Sequence, residues 1–569
     1  MSIEKGLLAN EDINFGVGTF TRKGRTGFPI TVTQVSDLIA GTSGPLIDAR
    51  RYTLFTDAVA AAVGKTLLVA AAVSLNANTT IGVSISLLVL QSGVISANGF
   101  TLTINGPPVG NPMHQWLSGF AAGDVTFGTG VMDKVFLKWF YSGSGSYSTA
   151  LNSAIKALGT GGGIIRATAG TYQFDVGVVA GTAKFLLEGD GVDVTIFQKT
   201  ANIDLLSVGS GGTYLSIENI TFDGNNYTGK CLYLSSPNYM KLDKLMFKNN
   251  GGTGTTNAAL YLNSATVTEI GTLYFRENNR DFHFESIHAM YAQMIEVANS
   301  KSVINEIGSA SLVSEIHIEK LVLSDDVGVH IYSARSVSID AIYAEVYLKV
   351  PVLTFGTGAG GTTFVRNTII GKMFVSKTDA GTSLSPVIEI YPGGSNRDAF
   401  ELSNYYYDGS GTHTLGHIKI LSATPLTACK FSNMIINSHP SNIFIGGGID
   451  GGIIENLYDA SGTGPGTFTT NLTNTMIINS ANISFAPTTT CDKVQYINVA
   501  GAIEFPASTT KTLLINCTGA LTGTGAGSVI KINGQQAANA DTSGATLVAL
   551  ETEVNELKAT LRTFGLIAT

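Results

Sequence analysis

The stretch that decides the fold is Ile217-Glu-Asn-Ile-Thr-Phe222, which is followed by Asp-Gly-Asn-Asn. The same arrangement of apolar residues returns in Leu242-Asp-Lys-Leu-Met-Phe247 and in Ile270-Gly-Thr-Leu-Tyr-Phe275. Each copy alternates between apolar and polar residues, as a β-strand with one buried face does. The Asn and Gly residues that follow suit left-handed turn conformations. Each copy therefore predicts one strand followed by one turn.

Weaker copies of this pattern continue along the chain at intervals of 21 to 32 residues. They end at Val297, Leu323, Ala344, Val375, Tyr407 and Ile436. One short strand cannot bury its apolar face alone, but stacked copies bury a continuous column, as in a β-solenoid. The variable interval is unlike the fixed frame of leucine-rich repeats. The sequence predicts an all-β, parallel β-helix in which Phe222, Phe247 and Phe275 stack at the strand spacing of about 4.8 Å.

The composition agrees with an all-β protein and excludes several other classes. Hydrophobic residues make up 44% of the 569 residues and charged residues 13%, whereas a disordered chain has few apolar and many charged residues. The 66 glycines stand beside only 14 prolines and follow no three-residue period, which excludes collagen and favours many tight turns. The net charge of −8 provides no basic surface for nucleic acid.

Targeting and cofactor signals are missing from the sequence. No apolar run approaches the roughly 18 residues of a membrane helix, and the N-terminus lacks the pattern of a signal peptide. No nucleotide-binding or metalloprotease motif occurs, so we expect no cofactor and no metal. We expect synthesis in a cytosol without disulfides or membrane insertion. The cysteines share no metal-ligand spacing and are predicted to be buried free thiols: Cys231, Cys429, Cys491 and Cys517.

Two short helices are predicted ahead of the strand repeats. The first has its apolar residues between Leu54 and Ala62 and stops at Gly64. The second has helical spacing from Leu151 to Leu158, with Ser148 or Thr149 as N-cap and Gly159 as stop. Each helix leads into a predicted strand. A helix in this position covers the first coil of a solenoid, whose open edge would otherwise pair with other chains.

The second of these helices lies in a segment that resembles the opening of pectate-lyase-like right-handed parallel β-helices in phage tailspikes and depolymerases. Residues 136–174 contain an aromatic element, a short helix, a glycine run and a strand in the order of that opening. The usual GDG-x-x-DD element of the family is replaced by SGSGSYS, so the match is partial. The matching residues are Trp139, Phe140, Ala150, Ala154, Ile155, Gly161–Gly163, Gly170 and Tyr172.

The sequence divides into four parts. Residues 1–44 are a predicted virion-attachment segment, because tailspikes of the family it resembles attach by their N-terminal regions; an ordinary solvated loop is the alternative. Residues 45–140 are a predicted β-rich N-terminal cap or neck, and residues 141–535 are the parallel β-helix. Residues 536–569 are a polar linker and a coiled coil. The cations that would dock on the virion are Arg22, Lys23 and Arg25.

The C-terminal tail carries a strict heptad of apolar residues. A helix over this heptad would be only about 27 Å long and marginal by itself in water, so it needs partners. The a and d residues do not decide between a dimer and a trimer. The family resemblance implies a homotrimer, and a helix folded back on its own chain is the alternative. The predicted trimerisation residues are Leu547, Leu550, Val554, Leu557, Leu561 and Phe564.

Acids and histidines are concentrated in residues 271–345, which hold 11 of the 42 acids and 4 of the 8 histidines. In Asp281-Phe-His-Phe-Glu285, alternation predicts that both Phe rings enter the core and that Asp281, His283 and Glu285 share the outer face. A carboxylate pair is the usual means of cutting a glycosidic bond, but these two carboxylates would lie about 13 Å apart. A partner must therefore come from a neighbouring coil. Two coils on, His330 and Tyr332 flank the corresponding position and are the candidates.

This acidic window has three interpretations. Asp281, His283 and Glu285 are candidate catalytic residues, His330 and Tyr332 are candidate carbohydrate contacts, and a plain solvated surface is the third possibility. A second candidate carbohydrate contact is the run of three tyrosines that ends before Asp408. Alternation would turn Tyr405 and Tyr407 outward, where their rings could stack on sugars, and packing in the core or on the surface is the alternative.

We interpret the chain as a phage tailspike or tail-fibre protein that binds a polysaccharide on the host surface. Its expected partners are two further copies of the chain, the glycan, and a tail or portal-adaptor protein bound through the N-terminus, and its expected location is the virion tail. A polysaccharide depolymerase, either hydrolase or lyase, is the alternative. The altered GDG element and the absence of a tight carboxylate motif favour binding over cleavage, and the missing signal peptide disfavours a secreted bacterial lyase.

Overall fold

The computed structural model describes the chain from residue 46 to residue 532, apart from short internal segments. The predicted attachment segment with Arg22, Lys23 and Arg25 lies outside the described residues, and so does the predicted coiled coil with Leu547, Leu550, Val554, Leu557, Leu561 and Phe564. The internal segments outside the description are 129–130, 142, 144, 182–183, 210–213, 255–256, 301–303, 309–312, 326, 357–364, 378–384, 392–398, 410–415, 422–424, 438–441, 461–465, 488–489, 519 and 524–528.

The described chain is a right-handed parallel β-helix, as predicted. Strands pair in parallel with the strands of the next coil, so each sheet runs along the solenoid axis. The longest sheet, called the main sheet, has twenty strands, and the sheet called the second sheet has fifteen. A short sheet of four strands lines part of a third face.

The strands of the main sheet are, in chain order, Lys134–Phe136, Ile164–Arg166, Gly170–Phe174, Phe185–Glu188, Thr195–Lys199, Leu215–Asp223, Tyr239–Lys248, Ala265–Arg276, Ile287–Ala298, Val313–Asp325, Ala334–Val346, Thr368–Lys377, Phe400–Ser403, Tyr405–Gly409, Cys429–Asn437, Ile453–Asp459, Met476–Ile478, Gln495–Ile497, Thr512–Ile515 and Val529–Ile532. The strands of the second sheet are Val178–Gly181, Leu206–Val208, Leu232–Ser235, Leu260–Asn263, Phe282–Phe284, Ile304–Ile307, Gly328–Ile331, Leu353–Phe355, Ile388–Ile390, Ile418–Ile420, Asn442–Gly446, Gly466–Phe468, Ile483–Phe485, Ile503–Glu504 and Leu521–Thr522. The strands of the short sheet are Leu426–Thr427, Gly448–Asp450, Asn471–Thr473 and Cys491–Asp492.

The predicted phenylalanine column forms the centre of the core. Phe222 pairs in register with Phe247, and Phe247 pairs with Phe275. Each consecutive pair of rings stacks with centroids 5.2 Å apart and planes within 15° of parallel. All three side chains are fully buried. The repeat in the sequence therefore identifies the inward-facing ladder of the main sheet.

The longer main-sheet strands contain a bend that the repeat does not predict. Asn219 and Lys244 have φ of 60° and 50°, so each strand continues past a left-handed residue instead of ending there. In the C-terminal coils this position is held by a ladder of exposed asparagines. Each asparagine after the first donates from Nδ2 to Oδ1 of the asparagine one coil earlier, over 2.8–3.3 Å. The ladder consists of Asn404, Asn433, Asn456, Asn479, Asn498 and Asn516, all with φ between 52° and 54°.

The predicted β-rich neck is itself coiled. After an opening strand, three coils of three strands each build three small sheets over residues 66–127. Trp139 links this part to the main solenoid, because its Nε1 donates to the Asn111 carbonyl over 3.1 Å and its ring lies 5.1 Å from Trp116. The strands are Leu46–Asp48, Thr66–Val69, Ala72–Ser74, Thr79–Ile81, Ser86–Val89, Val94–Ser96, Leu102–Ile104, Pro108–Gly110, Leu117–Ser118 and Val125–Phe127.

Both predicted helices are present and precede the first strand of their coils. The first spans Phe55–Ala61 and the second Ser148–Ala157. The predicted N-cap is wrong, because Ser148 is already helical and its Oγ donates to the Val176 carbonyl. Short 3-10 turns flank the helices at Ala49–Arg51, Leu137–Phe140 and Gly159–Gly161.

The cysteine prediction is confirmed, since all four thiols are free and buried. Burial raises the pKa of each of these thiols, so they remain protonated and unreactive near neutral pH. No helix in the described part of the chain reaches the length and hydropathy that crossing a bilayer requires.

Candidate functional site

A cluster of polar side chains lies on the outer face of the second sheet. Tyr261, His283, Glu306 and His330 occupy the same outward position on four successive strands, because each pairs in register with the next. The interval in sequence is 22 to 24 residues. Coiling therefore brings together side chains that are far apart in the chain, and this group is called the Glu306 cluster below.

The Glu306 carboxylate is the centre of the cluster. Its Oε2 lies 2.8 Å from Nη2 of Arg280 and 2.7 Å from Nδ1 of His283. Its Oε1 accepts a hydrogen bond of 2.8 Å from the Tyr332 hydroxyl. Burial alone would raise the pKa of Glu306, but contacts with His283 and Tyr332 and the charge of Arg280 outweigh it and lower the pKa to about 2. Glu306 is therefore a carboxylate at neutral pH.

Aromatic side chains form the rim of the cluster. The Tyr261 hydroxyl donates to Oε2 of Glu285, and its ring centroid lies 4.8 Å from that of His283. The rings of His330 and Tyr332 stack with centroids 3.7 Å apart. Burial, followed by the nearby carboxylates, raises the pKa of both Tyr261 and Tyr332, so both remain hydrogen-bond donors.

His330 is held as a neutral ring. One of its nitrogens, Nε2, contacts the carbonyl oxygen of Gly356 over 2.5 Å. Burial lowers the pKa of His330, and the carbonyl contact and Glu306 oppose that shift only in part. A neutral imidazole that bonds through Nε2 leaves its other nitrogen as an acceptor.

The prediction that Asp281 shares the outer face is wrong. Its side chain is fully buried, where Asn278 and Asn305 donate to it over 3.0 and 3.1 Å and the Ser300 hydroxyl also donates. The strand begins only at Phe282, so Asp281 lies in the preceding turn, where alternation no longer applies. Phe282 and Phe284 enter the core as predicted. Asp281 thus orders a turn beneath the cluster and cannot contact a ligand outside.

Asp281 should stabilise the folded state at low pH, whereas Glu306 should stabilise it at higher pH. Burial raises the pKa of Asp281 to about 6, although the three hydrogen bonds oppose the shift. The contribution of Asp281 to the free energy of unfolding is complete below its ordinary pKa of 3.8 and is lost as pH rises through about 6. The pKa of Glu306 is lowered from 4.5, so its contribution is present above 4.5 and is lost as pH falls through about 2.

We expect wild type to lose up to about 3 kcal/mol relative to Asp281→Asn between pH 4 and pH 7, because only wild type buries a charge there. Denaturant unfolding at both pH values would measure the change. The same comparison with Asp57→Asn, at an exposed helix residue, is the control. Equal shifts in the two variants would contradict the assignment to Asp281.

The prediction that Tyr405 and Tyr407 face outward is also wrong. Both are about 1% exposed, and the Tyr405 hydroxyl bonds to Nδ1 of His417 over 2.9 Å. They pair in register with the core residues Met373 and Val375. These two rings therefore cannot stack on a sugar. The outward ring of this run is Tyr406.

The sequence assigns no role to Arg280, Glu306 or Tyr261, and the structure places all three in the cluster. The usable signal was the interval between coils, which places Tyr261 and Glu306 one coil before and one coil after His283. Glu285 also lies on the rim, two residues beyond His283. Glu285 directly follows the strand Phe282–Phe284, and the Tyr261 hydroxyl donates to its carboxylate.

The Glu306 cluster is suited to a ligand with many hydroxyl groups. It offers an ionised carboxylate, a guanidinium, two tyrosine hydroxyls and two imidazoles on one face. Such groups donate to and accept from sugar hydroxyls, and aromatic rings pack against sugar C–H groups. Among the described residues, no group of three or more His, Cys, Asp or Glu side chains could hold a metal ion.

Comparison with solved structures finds the tailspike protein of E. coli bacteriophage HK620 in complex with a pentasaccharide. It is 12% identical, the match covers 90% of this chain and 84% of that one, and the TM-score is 0.22. The chain is similar to phage tailspikes. A mutant of the same tailspike, also in complex with a pentasaccharide, is 12% identical over 89% of this chain and 82% of that one, with a TM-score of 0.24. No protein-family model and no curated protein matches the sequence.

Proposed function

We propose that the chain is a receptor-binding tailspike or tail-fibre protein of a phage and that it binds a host surface polysaccharide at the Glu306 cluster. The observation that carries this proposal is the convergence of Arg280, His283 and Tyr332 on one ionised carboxylate at the outer face. Charged residues are only 13% of this chain, and a group of charges is costly to bury. This group has no role in the apolar core. Its use in ligand binding explains why it is there.

The proposal also includes the parts of the chain outside the described residues. The heptad at 547–564 would join three copies, and Arg22, Lys23 and Arg25 would dock on a tail or portal-adaptor protein. Both ideas come from the sequence and from its resemblance to tailspikes. The solenoid would then present the Glu306 cluster to the host surface while its ends hold the partners.

Removing the Tyr332 hydroxyl should weaken glycan binding at least about tenfold, because its proton is donated to Glu306 and a ligand in the cluster would lose the hydroxyl oxygen as an oriented acceptor. The test measures binding of wild type and Tyr332→Phe to a panel of purified bacterial surface polysaccharides. Tyr214→Phe is the matched control, since Tyr214 is 62% exposed and directly precedes the main-sheet strand Leu215–Asp223. Unchanged binding by Tyr332→Phe, on a polysaccharide that wild type binds, would contradict the site.

A depolymerase is the second candidate function, favoured by the two outward carboxylates Glu285 and Glu306. The Tyr261 hydroxyl donates to Glu285, whereas Arg280 and His283 contact Glu306, so the two carboxylates have different partners. In glycoside hydrolysis, one carboxyl group of a pair serves as the acid and the other as the base or nucleophile. The sequence analysis requires a partner from a neighbouring coil, and Glu306 would be that partner for Glu285.

If the chain cleaves the glycan, Glu285→Gln should lower the rate at least about 100-fold while binding persists. The shortening of polysaccharide chains, followed by size-exclusion chromatography, would measure the rate. Glu269→Gln, at an outward residue of the main sheet, is the control. Equal cleavage by Glu285→Gln and wild type would remove Glu285 from the mechanism, and intact polysaccharide with wild type would leave binding as the function.

A further inference from the structure

A groove lies where several early strands of the main sheet begin. Its volume is about 520 Å³, within the range of about 300–1,000 Å³ that is usual for sites of small ligands. Four successive coils line it, together with the glycine run 161–163. This surface is called the Tyr214 groove, and its lining includes Lys184, Tyr214, Tyr239, Lys241 and Glu269.

Two stacked tyrosines are the main apolar feature of the groove. Tyr214 and Tyr239 hold the same position on neighbouring coils, since the residues that follow them pair in register. Their ring centroids are 5.2 Å apart, and the ring planes are within 9° of parallel. They are 62% and 50% exposed, more than any other tyrosine of the described chain. Unlike the phenylalanine column, these rings add little to the core and remain available to a ligand.

Charged side chains accompany the two rings. Lys184 holds the position one coil before Tyr214, because the residues that follow the two pair in register. Lys241 pairs in register with Glu269 on the next coil. The Lys241 Nζ lies 3.0 Å from a carboxylate oxygen of Glu218, and the Lys241 side chain remains 44% exposed. An ammonium group has three N–H donors, so Lys241 keeps donors for a ligand beside the rings.

The glycine run keeps the lining beside the tyrosines free of side chains. Gly162 has φ of 74°, which lies in the left-handed region that favours glycine. A Cβ atom at this position would lie only 2.7 Å from the carbonyl oxygen of Lys184. Larger residues are therefore excluded here, and the groove stays open next to the rings.

The combination of rings and charges suits a sugar better than other ligands. The C–H groups of a sugar pack against an aromatic ring, while its hydroxyl groups bond to the charged side chains nearby. A protein partner would need about 800 Å² of contact surface on each side, more than two tyrosines provide. A purely apolar ligand would leave Lys184, Lys241 and Glu269 without the hydrogen bonds that water gives them.

The Tyr214 groove and the Glu306 cluster lie on adjoining faces of the solenoid. Tyr239 begins the main-sheet strand that follows the second-sheet strand Leu232–Ser235, with only residues 236–238 between the two strands. Tyr233, in that second-sheet strand, pairs in register with Tyr261 of the cluster. One corner of the solenoid therefore separates the two sites. A polysaccharide repeats its unit along its length, so one molecule offers ligands to both.

We infer that the Tyr214 groove is a second carbohydrate-binding site, which holds a short segment of the polysaccharide against the paired tyrosine rings. The inference rests on the proposed function for the identity of the ligand and adds a site on another face. Binding at two sites would raise the affinity for a long polysaccharide, because the second contact becomes intramolecular. A short fragment, which reaches only one site, would not gain this affinity.

The test removes both rings from the full chain. Tyr214→Ala with Tyr239→Ala should lower the number of short fragments bound per chain from two to one, and should weaken binding of the intact polysaccharide at least about tenfold. The fragments are repeating-unit oligosaccharides from a polysaccharide that wild type binds. Isothermal titration calorimetry would count bound fragments, and surface plasmon resonance would measure the affinity for the intact polysaccharide.

Two further variants control for hydroxyl loss and for the loss of any exposed ring. Tyr214→Phe with Tyr239→Phe keeps both rings and should bind as wild type does. Tyr291→Ala should also bind as wild type does, because Tyr291 is a main-sheet tyrosine, 38% exposed, that stacks on His317 outside the groove lining. The denaturant midpoint should be nearly unchanged in all three variants, since the altered side chains are exposed.

Two fragments bound by both wild type and the alanine pair would overturn the inference. A single fragment in wild type that Tyr332→Phe removes and the alanine pair retains would also overturn it, and the proposed function would then stand with one site. A single fragment that only the alanine pair removes would support the groove and reject the Glu306 cluster. A wild type that binds no polysaccharide would overturn both.

Discussion

Phe247→Asp is expected to abolish the folded solenoid. The Phe247 ring is fully buried and stacks between Phe222 and Phe275 with centroids 5.2 Å away on either side. An aspartate there would lose both ring contacts and bury an unpaired carboxylate. The loss of a buried Phe costs about 3–5 kcal/mol, and the uncompensated charge adds to it. Because each coil contacts only its neighbours, the damage would divide the column into two parts.

The soluble yield and the denaturant midpoint would measure this effect. Tyr239→Asp is the control, since Tyr239 belongs to the same strand but is 50% exposed. We expect little soluble protein with Phe247→Asp and a nearly unchanged midpoint with Tyr239→Asp. A soluble Phe247→Asp variant with the wild-type midpoint would contradict the register of the core.

Arg280→Met should destabilise the chain by about 3 kcal/mol and remove glycan binding. The Arg280 and Glu306 side chains are only 12% and 10% exposed, so removal of the guanidinium leaves a nearly buried carboxylate with less compensation. The double variant Arg280→Met with Glu306→Gln should recover part of the stability, because it removes both charges. It should not recover binding, since the ligand would still lack the ionised carboxylate.

The control for this cycle is Lys248→Met. Lys248 pairs with Asp193 over 2.8 Å, the same distance as Arg280 and Glu306, but the two side chains are 24% and 54% exposed. Exposed pairs contribute about 0–1 kcal/mol, so Lys248→Met should change the unfolding free energy much less. Equal losses of unfolding free energy in Arg280→Met and Lys248→Met would mean that burial does not strengthen the Arg280–Glu306 ion pair.

The repeat in the sequence predicts the core correctly, because every inward-facing residue must be apolar. Phe222, Phe247 and Phe275 must exclude water in every coil, so the pattern survives in the sequence. Tyr407 shows how the repeat and simple alternation can disagree. It ends a copy of the repeat, in the place of Phe222, and the structure buries it accordingly. In a run of three tyrosines, alternation alone does not show which rings face the core. The repeat does show it, because its last residue faces inward.

The candidate site is predicted less well, because it depends on register between coils. His283, His330 and Tyr332 are found together as expected, but Asp281 lies one residue ahead of its strand and turns inward. The partner of His283 is Glu306, one coil away, and turn lengths that vary from coil to coil obscure this pairing in the sequence. Arg280 reaches the cluster from a turn, where no periodicity applies.

The asparagine ladder has a further consequence, which concerns its direction. In each link from Asn433 to Asn516, the amide group donates toward the preceding coil, and Asn404 donates to the Gly371 carbonyl over 3.0 Å. Six amide dipoles thus point the same way along the solenoid axis. Aligned hydrogen bonds polarise one another by about 10–30% per bond. The exposed edge of the solenoid therefore carries a small dipole of its own, with the negative end toward the C-terminal coils.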